Sequence, residues 1–325
     1  MSTATIEVRN LRTHFFTRAG VVKAVDDVSF TVGRGRVLGL VGESGSGKSV
    51  TGFSIIGLVD PPGRIVGGSI LYQGQDLAKL SEREMRALRG NRIAMIFQDP
   101  MMTLNPVLRI DTQMIEAVRA HAKVSHAEAR TRARDVLGLV GIPSPDERLM
   151  AYPHQFSGGM RQRVAIAIAL LHHPDLLIAD EPTTALDVTI QAQILAEVQK
   201  LATTYGTAMI WITHDLSVIA GLADDIAVMY AGRIVETGTA ETVLESPLHP
   251  YTSGLIGSVP SRNRRGEKLK QIPGMTPSLL NLPPGCAFRT RCERADAACA
   301  QEPPPSQPVA DQTIRCFHPL VAVPA

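Results

Sequence analysis

The fold is decided by the stretch Val37-Leu38-Gly39-Leu40-Val41-Gly42-Glu43-Ser44-Gly45-Ser46-Gly47-Lys48-Ser49. Its first part, Val37–Val41, is an apolar run that predicts a buried β-strand, and Val50–Ile56 behind it can continue as a helix. Gly42–Ser49 between them fits the pattern G-x-x-x-x-G-K-[ST] in the strand–loop–helix context that this pattern requires. The alternative is a glycine-rich turn that binds nothing. The context favours a phosphate-binding loop within an α/β fold.

Each residue type in this loop has a chemical role toward a nucleoside triphosphate. The glycines let backbone N–H groups approach phosphate oxygens, and the following helix N-terminus adds a favourable dipole. Lys48 is expected to reach the β- and γ-phosphates, and Ser49 to offer its hydroxyl to Mg²⁺. The predicted phosphate-contacting set is Gly42, Ser44, Gly45, Ser46, Gly47, Lys48, Ser49 and Val50.

The rest of the chain alternates strand-like and helix-like runs as far as about residue 245. Strand-like runs are Ile6–Val8, Val25–Val32, Val37–Val41, Ser69–Tyr72, Ile93–Phe97, Leu176–Asp180, Ala208–Thr213 and the hairpin pair Ile226–Tyr230 and Arg233–Glu236. Helix-like runs are Thr112–His121, His126–Val140, Val164–Leu171 and Ile190–Tyr205. This alternation predicts a mostly parallel sheet with right-handed crossovers, and the helices in the middle predict an inserted helical subdomain.

A second strand end carries two carboxylates. Leu176–Asp180 is a buried strand by its pattern, and Glu181 follows it directly. Carboxyl ends of parallel strands face the ligand crevice of α/β folds. Asp180 is therefore expected to hold Mg²⁺, directly or through water, and Glu181 to polarise the attacking water as general base. Taken alone, two acids after a strand are usually a solvated strand end.

Three further positions fit the same site. Ser157-Gly158-Gly159 opens a helix and predicts a second anion site, which suggests service to a neighbouring subunit's nucleotide. A simple N-cap at Ser157 is the alternative. Gln98, after Ile93–Phe97, is expected to ligate Mg²⁺ or orient water. His214, after Ala208–Thr213, is expected to hydrogen-bond the γ-phosphate.

The bulk composition excludes several classes of protein. The 325 residues are 44% apolar and 20% charged, with a net charge of +2, so an ordinary folded protein is expected and electrostatic attachment to DNA or anionic lipid is not. The N-terminus has no apolar h-region, so the cytosol is the expected compartment. The longest apolar stretch, Val164–Leu171, is far shorter than the roughly 20 residues of a membrane helix.

The tail after about residue 246 is proline-rich and is expected to build little core of its own. It holds all four cysteines, Cys286, Cys292, Cys299 and Cys316, at the spacing C-x5-C-x6-C-x16-C. Cytosolic thiols grouped in this way suggest a metal site. The spacing matches neither the tight pairs of zinc sites nor ferredoxin runs, so zinc, iron–sulfur and four buried free thiols stay open. The neighbouring Arg289, Arg291 and Arg315 are expected to offset thiolate charge.

These motifs, in this order, resemble the ATP-binding subunit of an ABC transporter over nearly the whole chain. The matching pieces are Walker A at Gly42–Ser49, the Q-loop at Gln98, the signature motif at Phe156-Ser157-Gly158-Gly159-Met160, Walker B at Leu176–Asp180 with the catalytic Glu181, the D-loop at Ala185-Leu186-Asp187 and the switch histidine at His214. Phe156 and Met160 depart from the common signature, LSGGQ. The resemblance also implies that Phe15, or else Phe16, stacks on adenine.

The resemblance implies a P-loop NTPase fold of the ABC ATPase kind. Its expected parts are an N-terminal antiparallel β subdomain, an α-helical subdomain at about 99–156 and a small Cys-rich C-terminal extension. The expected domains are the nucleotide-binding domain over 1–245 and the extension over 246–325. The expected cofactors are ATP and Mg²⁺.

Finer features resemble the oligopeptide and dipeptide importers. They are Gln98–Pro106, Ser246–Thr252 at the start of the extension and the segment from Pro273 to Cys286, which resembles the D-type rather than the F-type ATPase. In such proteins the tail resembles one that carries a [4Fe–4S] cluster, which makes this cluster the favoured centre at the four cysteines, with Zn²⁺ as the alternative.

The partners implied are two transmembrane permease subunits, a second, homologous F-type ATPase subunit and, indirectly, an extracytoplasmic substrate-binding protein. No nucleic acid is expected, and the location implied is the cytoplasmic face of the cell membrane. Other hypotheses are an importer ATPase for nickel or another small solute, a soluble ABC ATPase acting on nucleic acid or ribosomes, and a redox protein with an incidental phosphate loop.

Overall fold

The computed structural model describes residues 4–183, 188–259 and 271–320. These residues form two compact units. The first unit contains the described residues of Met1–Thr5, Val32–Arg36 and Lys79–Ile210, and the second those of Ile6–Thr31, Val37–Ala78 and Trp211–Ala325. None of the helices in the described ranges is long and apolar enough to cross a membrane.

The chain alternates strands and helices as the sequence predicts. The strands are β1 (Ala4–Thr17), β2 (Gly20–Gly33), β3 (Val37–Val41), β4 (Gly63–Tyr72), β5 (Gln75–Asp76), β6 (Ile93–Ile96), β7 (Leu176–Asp180), β8 (Ala208–Thr213), β9 (Asp225–Tyr230), β10 (Arg233–Thr239), β11 (Gln307–Val309) and β12 (Gln312–Ile314). The helices are α1 (Lys48–Ile55), α2 (Glu82–Leu88), α3 (Ile110–His121), α4 (His126–Leu139), α5 (Pro145–Leu149), α6 (Gly158–Leu170), α7 (Val188–Tyr205), α8 (Leu216–Ala220), α9 (Ala240–Glu245), α10 (Pro250–Gly257) and α11 (Ala298–Gln301). Short 3-10 turns occupy Leu77–Lys79, Pro100–Met102 and Pro153–Gln155.

In the second unit, an antiparallel sheet has the strand order β2-β1-β4-β5. Strands β1 and β2 are much longer than Ile6–Val8 and Val25–Val32, the runs that the sequence predicts. Asn10 and Asp27 interrupt the alternation of side chains with positive φ angles of 46° and 67°, and the Asn10 amide donates a 2.8 Å hydrogen bond to the Asp27 carboxylate. Because both positions break the alternation of side chains, a period-two sequence pattern does not reveal the full length of either strand.

The same unit contains a second run of strands in the order β11-β12-β10-β9-β3. Strand β3 pairs in parallel with β9, from Leu38 opposite Asp225 to Val41 opposite Val228. All five residues of β3 are buried, which is the pattern of a strand covered on both faces. Strands β9 and β10 form the predicted hairpin, with Ala231 and Gly232 at positive φ in the turn.

In the first unit, β6 and β7 pair in parallel, so their carboxyl ends lie side by side. The predicted inserted helices are present as α3 and α4, and the Ser125 hydroxyl caps α4 by accepting from the Glu128 N–H. The α/β fold class, with its antiparallel subdomain, helical insertion and small Cys-rich extension, is confirmed.

The tail packs on elements that precede it in the chain. Strand β12 pairs with β10, opposite Glu236 and Thr237, so the tail extends a sheet of the second unit. Phe288 is buried and its ring packs 5.3 Å from Tyr230 and 5.4 Å from Tyr251. Large aromatic side chains bury enough apolar area to fix a segment that lacks a periodic pattern. The tail thus shares a core with Tyr230 and β10, which precede it in the chain.

Candidate functional site

The loop Gly42–Ser49 has the strand–loop–helix context that the sequence predicts. Strand β3 ends at Val41 and helix α1 begins at Lys48. Gly42 has a φ of 152° and Gly47 a φ of 104°. A Cβ at these positions would collide with the carbonyl oxygens of Met229 and Ala24 respectively, so both positions require glycine for conformation and for space.

Lys48 lies inside this loop. Its ammonium donates to the carbonyl oxygens of Gly42 at 2.8 Å and Glu43 at 3.0 Å, and the residue is 5% exposed. Ser46 is buried, Ser44 and Gly45 are exposed, and Ser49 and Val50 are half-buried. The outer edge of the loop therefore presents backbone and hydroxyl groups to solvent above a buried positive charge. This is the chemistry that anionic phosphate oxygens require.

Glu43 is the one acid in this loop, and three groups from the second unit bind its carboxylate and backbone. Arg291 donates through two nitrogens, at 2.6 Å to Oε2 and 2.9 Å to Oε1, and the Thr276 hydroxyl donates to Oε2 at 2.9 Å. The Glu43 N–H donates to the Tyr251 hydroxyl at 2.8 Å. The Arg291 hydrogen bonds, with the smaller contribution of Thr276, hold the pKa of Glu43 below its usual value although burial acts in the opposite direction.

The sequence analysis did not predict the contacts of Glu43, and it assigned Arg291 and Arg315 to the wrong partners. Arg291 binds Glu43, and Arg315 binds the Asp27 carboxylate at 2.7 Å. The expectation that both guanidinium groups offset cysteine charge was therefore wrong. The signal was present in the sequence, because an acid inside an anion-binding loop requires a nearby cation to compensate it.

In the first unit, two predicted polar groups meet at adjacent strand ends. Gln98 follows β6 after Phe97, and Glu181 follows β7 directly with a φ of 47°. The Gln98 amide donates to Glu181 Oε2 at 3.1 Å. Asp180, the last residue of β7, is 3% exposed. The parallel pairing of β6 and β7 thus brings together the amide and the carboxylate that the sequence assigns to one attacking water.

Ser157 caps α6, because its hydroxyl accepts the Met160 N–H at 3.3 Å. Ser157 and Gly158 are exposed and Gly159 is half-buried. A Cβ on Gly158 would meet no heavy atom within 4 Å, and its backbone has no positive φ. Nothing in the described part of the chain therefore requires glycine at position 158. The N-cap and a second anion site are compatible, since the α6 N-terminus faces outward.

His214 and the two phenylalanines lie in the second unit. His214 is exposed directly after β8, and the Asp215 carboxylate caps α8 by accepting from the Ser217 N–H at 2.8 Å. Phe15 is half-buried, and its ring lies against the position of Gly63, its cross-strand neighbour. Phe16 is 39% exposed, with the Arg64 guanidinium 4.3 Å from its ring centre.

Because side chains alternate along β1, the rings of Phe15 and Phe16 lie on opposite faces of this strand. Thr13, two residues before Phe15, exchanges a 2.8 Å hydrogen bond with Ser54 of α1. Because side chains two apart share a strand face, Phe15 lies on the face that packs on α1, the helix that follows the phosphate loop. Phe16 lies on the opposite face. This geometry favours Phe15 for contact with a base above that loop.

All four cysteines line one small cavity of about 10 Å³ in the second unit, together with Arg289 and Arg294. Burial raises the pKa of Cys286 and Cys292, and raises that of Cys316 to about 11. Among the described residues, one ligand atom each of Asp296, Cys299 and His318 lie within 4.8 Å of one another.

The D-loop residues Ala185, Leu186 and Asp187 lie outside the described residues.

Comparisons with known proteins agree with this geometry. The family described as "ABC transporter" matches residues 25–184, and the family described as "Oligopeptide/dipeptide transporter, C-terminal region" matches residues 235–299. The chain is similar to the oligopeptide transport ATP-binding protein OppD of Escherichia coli (strain K12), with 48% identity over 98% of this chain and 94% of that protein. It is also similar to the dipeptide transport ATP-binding protein DppD of Bacillus subtilis (strain 168), with 49% identity over 96% of this chain and 94% of that protein.

Solved structures of an ATP-binding cassette are similar as well. The cassette MJ0796 in a dimeric post-hydrolysis state bound to ADP and Pi superposes with a TM-score of 0.67 and 25% identity, over 72% of this chain and 98% of that one. The prediction of an ABC-type ATPase is confirmed. This chain belongs to the family of ABC transporter ATP-binding proteins that carry the oligopeptide/dipeptide transporter C-terminal region.

Proposed function

We propose that this chain is the ATP-hydrolysing subunit of an importer that takes up oligopeptides or dipeptides. The observation that carries the proposal is the joint presence of the Gly42–Ser49 loop and a tail that matches the oligopeptide/dipeptide transporter C-terminal region. Relatives that match this chain over nearly its whole length are named as transport ATP-binding proteins for such peptides.

The proposed roles of the residues follow from their chemistry. The loop Gly42–Ser49 and Val50 bind the phosphates through backbone N–H groups, with Lys48 at the β- and γ-phosphates and Phe15 on the adenine ring. Asp180, Ser49 and Gln98 hold Mg²⁺. Glu181 acts as general base toward water, which Gln98 helps to orient, and His214 hydrogen-bonds the γ-phosphate. The 3.1 Å contact between Gln98 and Glu181 supports the shared role toward water.

The helix start at Ser157, Gly158 and Gly159 is proposed to serve the nucleotide of a second ATPase subunit. Its exposure and the open space in front of Gly158 support an external anion at this helix N-terminus. Two subunits then enclose two ATP molecules, each between the phosphate loop of one subunit and the helix start of the other. We infer a homologous F-type subunit as the partner in a heterodimer.

The proposed location is the cytoplasmic face of the cell membrane, bound to two permease subunits and through them to a substrate-binding protein outside. The test is affinity purification of the chain from detergent-solubilised membranes, followed by reconstitution into vesicles and uptake of labelled di- and oligopeptides. We expect two permeases and a second ATPase to co-purify, with ATP-dependent peptide uptake that Lys48→Ala abolishes. Uptake of nickel but not peptides, or co-purification of nucleic acid without permeases, contradicts the proposal.

We further propose that Cys286, Cys292, Cys299 and Cys316 hold a [4Fe–4S] cluster with a structural role. Their position around one small cavity supports a shared centre for the four thiols. The raised thiol pKa values mean that metal binding must release protons, so affinity for the metal rises with pH. Bound thiolates would hold the tail in place from its interior.

Anaerobic purification with iron, sulfide and zinc analysis tests the cluster. The expected result is about four iron and four sulfide per chain, with the iron lost in Cys292→Ser. One zinc per chain without iron indicates the Zn²⁺ alternative at the four cysteines. Folded, colourless protein that contains neither iron nor zinc contradicts both the cluster and the zinc site.

A further inference from the structure

We propose that Arg291 of the tail is a positioning residue for the phosphate loop and acts on that loop through Glu43. The inference rests on the proposed function of Gly42–Ser49 as the ATP phosphate site. It assigns to the cysteine-rich tail a direct part in nucleotide binding by its own chain. The geometry lies wholly within the second unit.

The contact between Arg291 and Glu43 is a two-point ion pair. Both terminal nitrogens of the guanidinium bind carboxylate oxygens, at 2.6 and 2.9 Å, and the Arg291 side chain is only 4% exposed. A fork of this kind fixes orientation as well as distance. The remaining nitrogen, Nε, donates to the Pro273 carbonyl at 2.8 Å, so the tail in turn fixes the guanidinium.

Every polar group of Glu43 has a partner. The carboxylate binds Arg291 and Thr276, the N–H donates to Tyr251, and the carbonyl accepts from Lys48. Three of these partners come from the segment after residue 250. The first half of the phosphate loop is therefore held by the tail, while its second half continues into α1.

The charge of Glu43 shows why the pair matters to an anion site. A free carboxylate within the loop would repel phosphate oxygens over a few ångströms in a partly buried environment. Arg291 neutralises this carboxylate through its buried guanidinium. Loss of Arg291 thus has two consequences for phosphate binding: the loop is less fixed, and an uncompensated negative charge is left on a residue of the loop.

The experiment measures the Kd of the Mg²⁺ complex of the non-hydrolysable analogue AMP-PNP for the full-length chain by calorimetry. We expect Arg291→Gln to weaken binding about tenfold or more. In a Glu43→Gln background the same change should weaken binding less than threefold, because Arg291 acts through that carboxylate. Equal effects of Arg291→Gln in the two backgrounds would overturn the proposal, as would wild-type affinity in Arg291→Gln.

Arg315 provides the matched control. It also directly precedes a cysteine, is partly buried and binds an acid, Asp27, at 2.7 Å, yet Asp27 lies in β2 rather than in the phosphate loop. Arg315→Gln should lower thermal stability and leave the Kd for Mg–AMP-PNP within twofold of wild type. Equal losses of affinity in Arg315→Gln and Arg291→Gln would indicate a general effect of tail packing and would contradict the assigned role.

Two further measurements keep the outcomes separate. If Arg291→Gln does not fold, Arg291→Lys retains the charge without the two-point fork, and we expect weaker binding than in wild type from a chain with wild-type circular dichroism. Wild-type affinity in folded Arg291→Lys overturns the role of the fork. Failure of the proposed function is recognised differently, because Lys48→Ala would then bind Mg–AMP-PNP as tightly as wild type.

Discussion

A substitution of Gly158, at the start of α6, separates an effect on ATPase activity from an effect on stability. In an α-helix each Cα–Cβ bond tilts toward the N-terminus, so a methyl group on Gly158 would project into the space in front of α6. Apart from Gly158, its two chain neighbours and the backbone of α6 itself, no heavy atom of the described residues lies within 4 Å of that methyl position, and the backbone needs no positive φ. Gly158→Ala therefore leaves the fold intact.

Gly158→Ala is expected to raise the free energy of unfolding and to lower the ATPase rate. Replacing a helical glycine by alanine stabilises the chain by up to about 1 kcal/mol, through the lower entropy of the unfolded state. If a phosphate of a partner subunit's ATP sits before α6, the methyl displaces it by about 1 Å, which lowers the rate at that site about 100-fold. At least one of the two sites in an assembled complex carries the change, so its ATPase rate falls by half or more.

Gly138 is the matched control for this substitution. It lies near the end of α4, has no positive φ and would likewise place a Cβ with no heavy atom within 4 Å. The assay compares phosphate release by assembled complexes carrying either alanine, with unfolding by urea followed through Trp211, the only tryptophan and a fully buried one. We expect equal stability in the two variants and a loss of ATPase only in Gly158→Ala. Equal ATPase rates in the two would refute an anion site at this helix start.

Three other predictions concern single residues. Glu181→Gln should keep the affinity for MgATP and lower turnover about 100-fold or more in a phosphate-release assay, whereas wild-type turnover excludes it as general base. Phe15→Ala should weaken MgATP binding more than Phe16→Ala, since only Phe15 shares a strand face with Thr13, and the reverse order in calorimetry would assign the base to Phe16. Burial lowers the pKa of His249 from 6.5 to about 4. The neutral imidazole therefore contributes on the order of 3 kcal/mol to the free energy of unfolding above pH 6.5, and this contribution is lost as the pH falls toward 4. His249→Gln should therefore flatten the fall in urea stability over that window relative to wild type, and an unchanged slope contradicts the assignment.

Much of the fold followed from local pattern. Strand β3, the phosphate loop and α1 were predicted at their observed places because an apolar run, glycine spacing and a lysine are local features. Strand β7 was predicted at its observed bounds for the same reason. The length of β1 was not predicted, because Asn10 at positive φ breaks the alternation that a sequence pattern relies on.

The candidate site was predictable where parallel strands end. Gln98 and Glu181 each follow an apolar run, and the carboxyl ends of neighbouring parallel strands lie together, so their 3.1 Å contact realises a relation that the sequence implied. The choice between Phe15 and Phe16 required the register of β1 against its neighbours, which the sequence does not contain.

What the sequence by itself determined is the phosphate loop, the strand ends with their acids and amide, and the family to which they belong. Each depends on residues close together in the chain. What only the tertiary structure decided is the environment of Glu43, where Arg291 lies 248 positions away along the chain. Charge balance in a partly buried loop is set by whichever side chain the fold brings near, and no local pattern identifies that side chain.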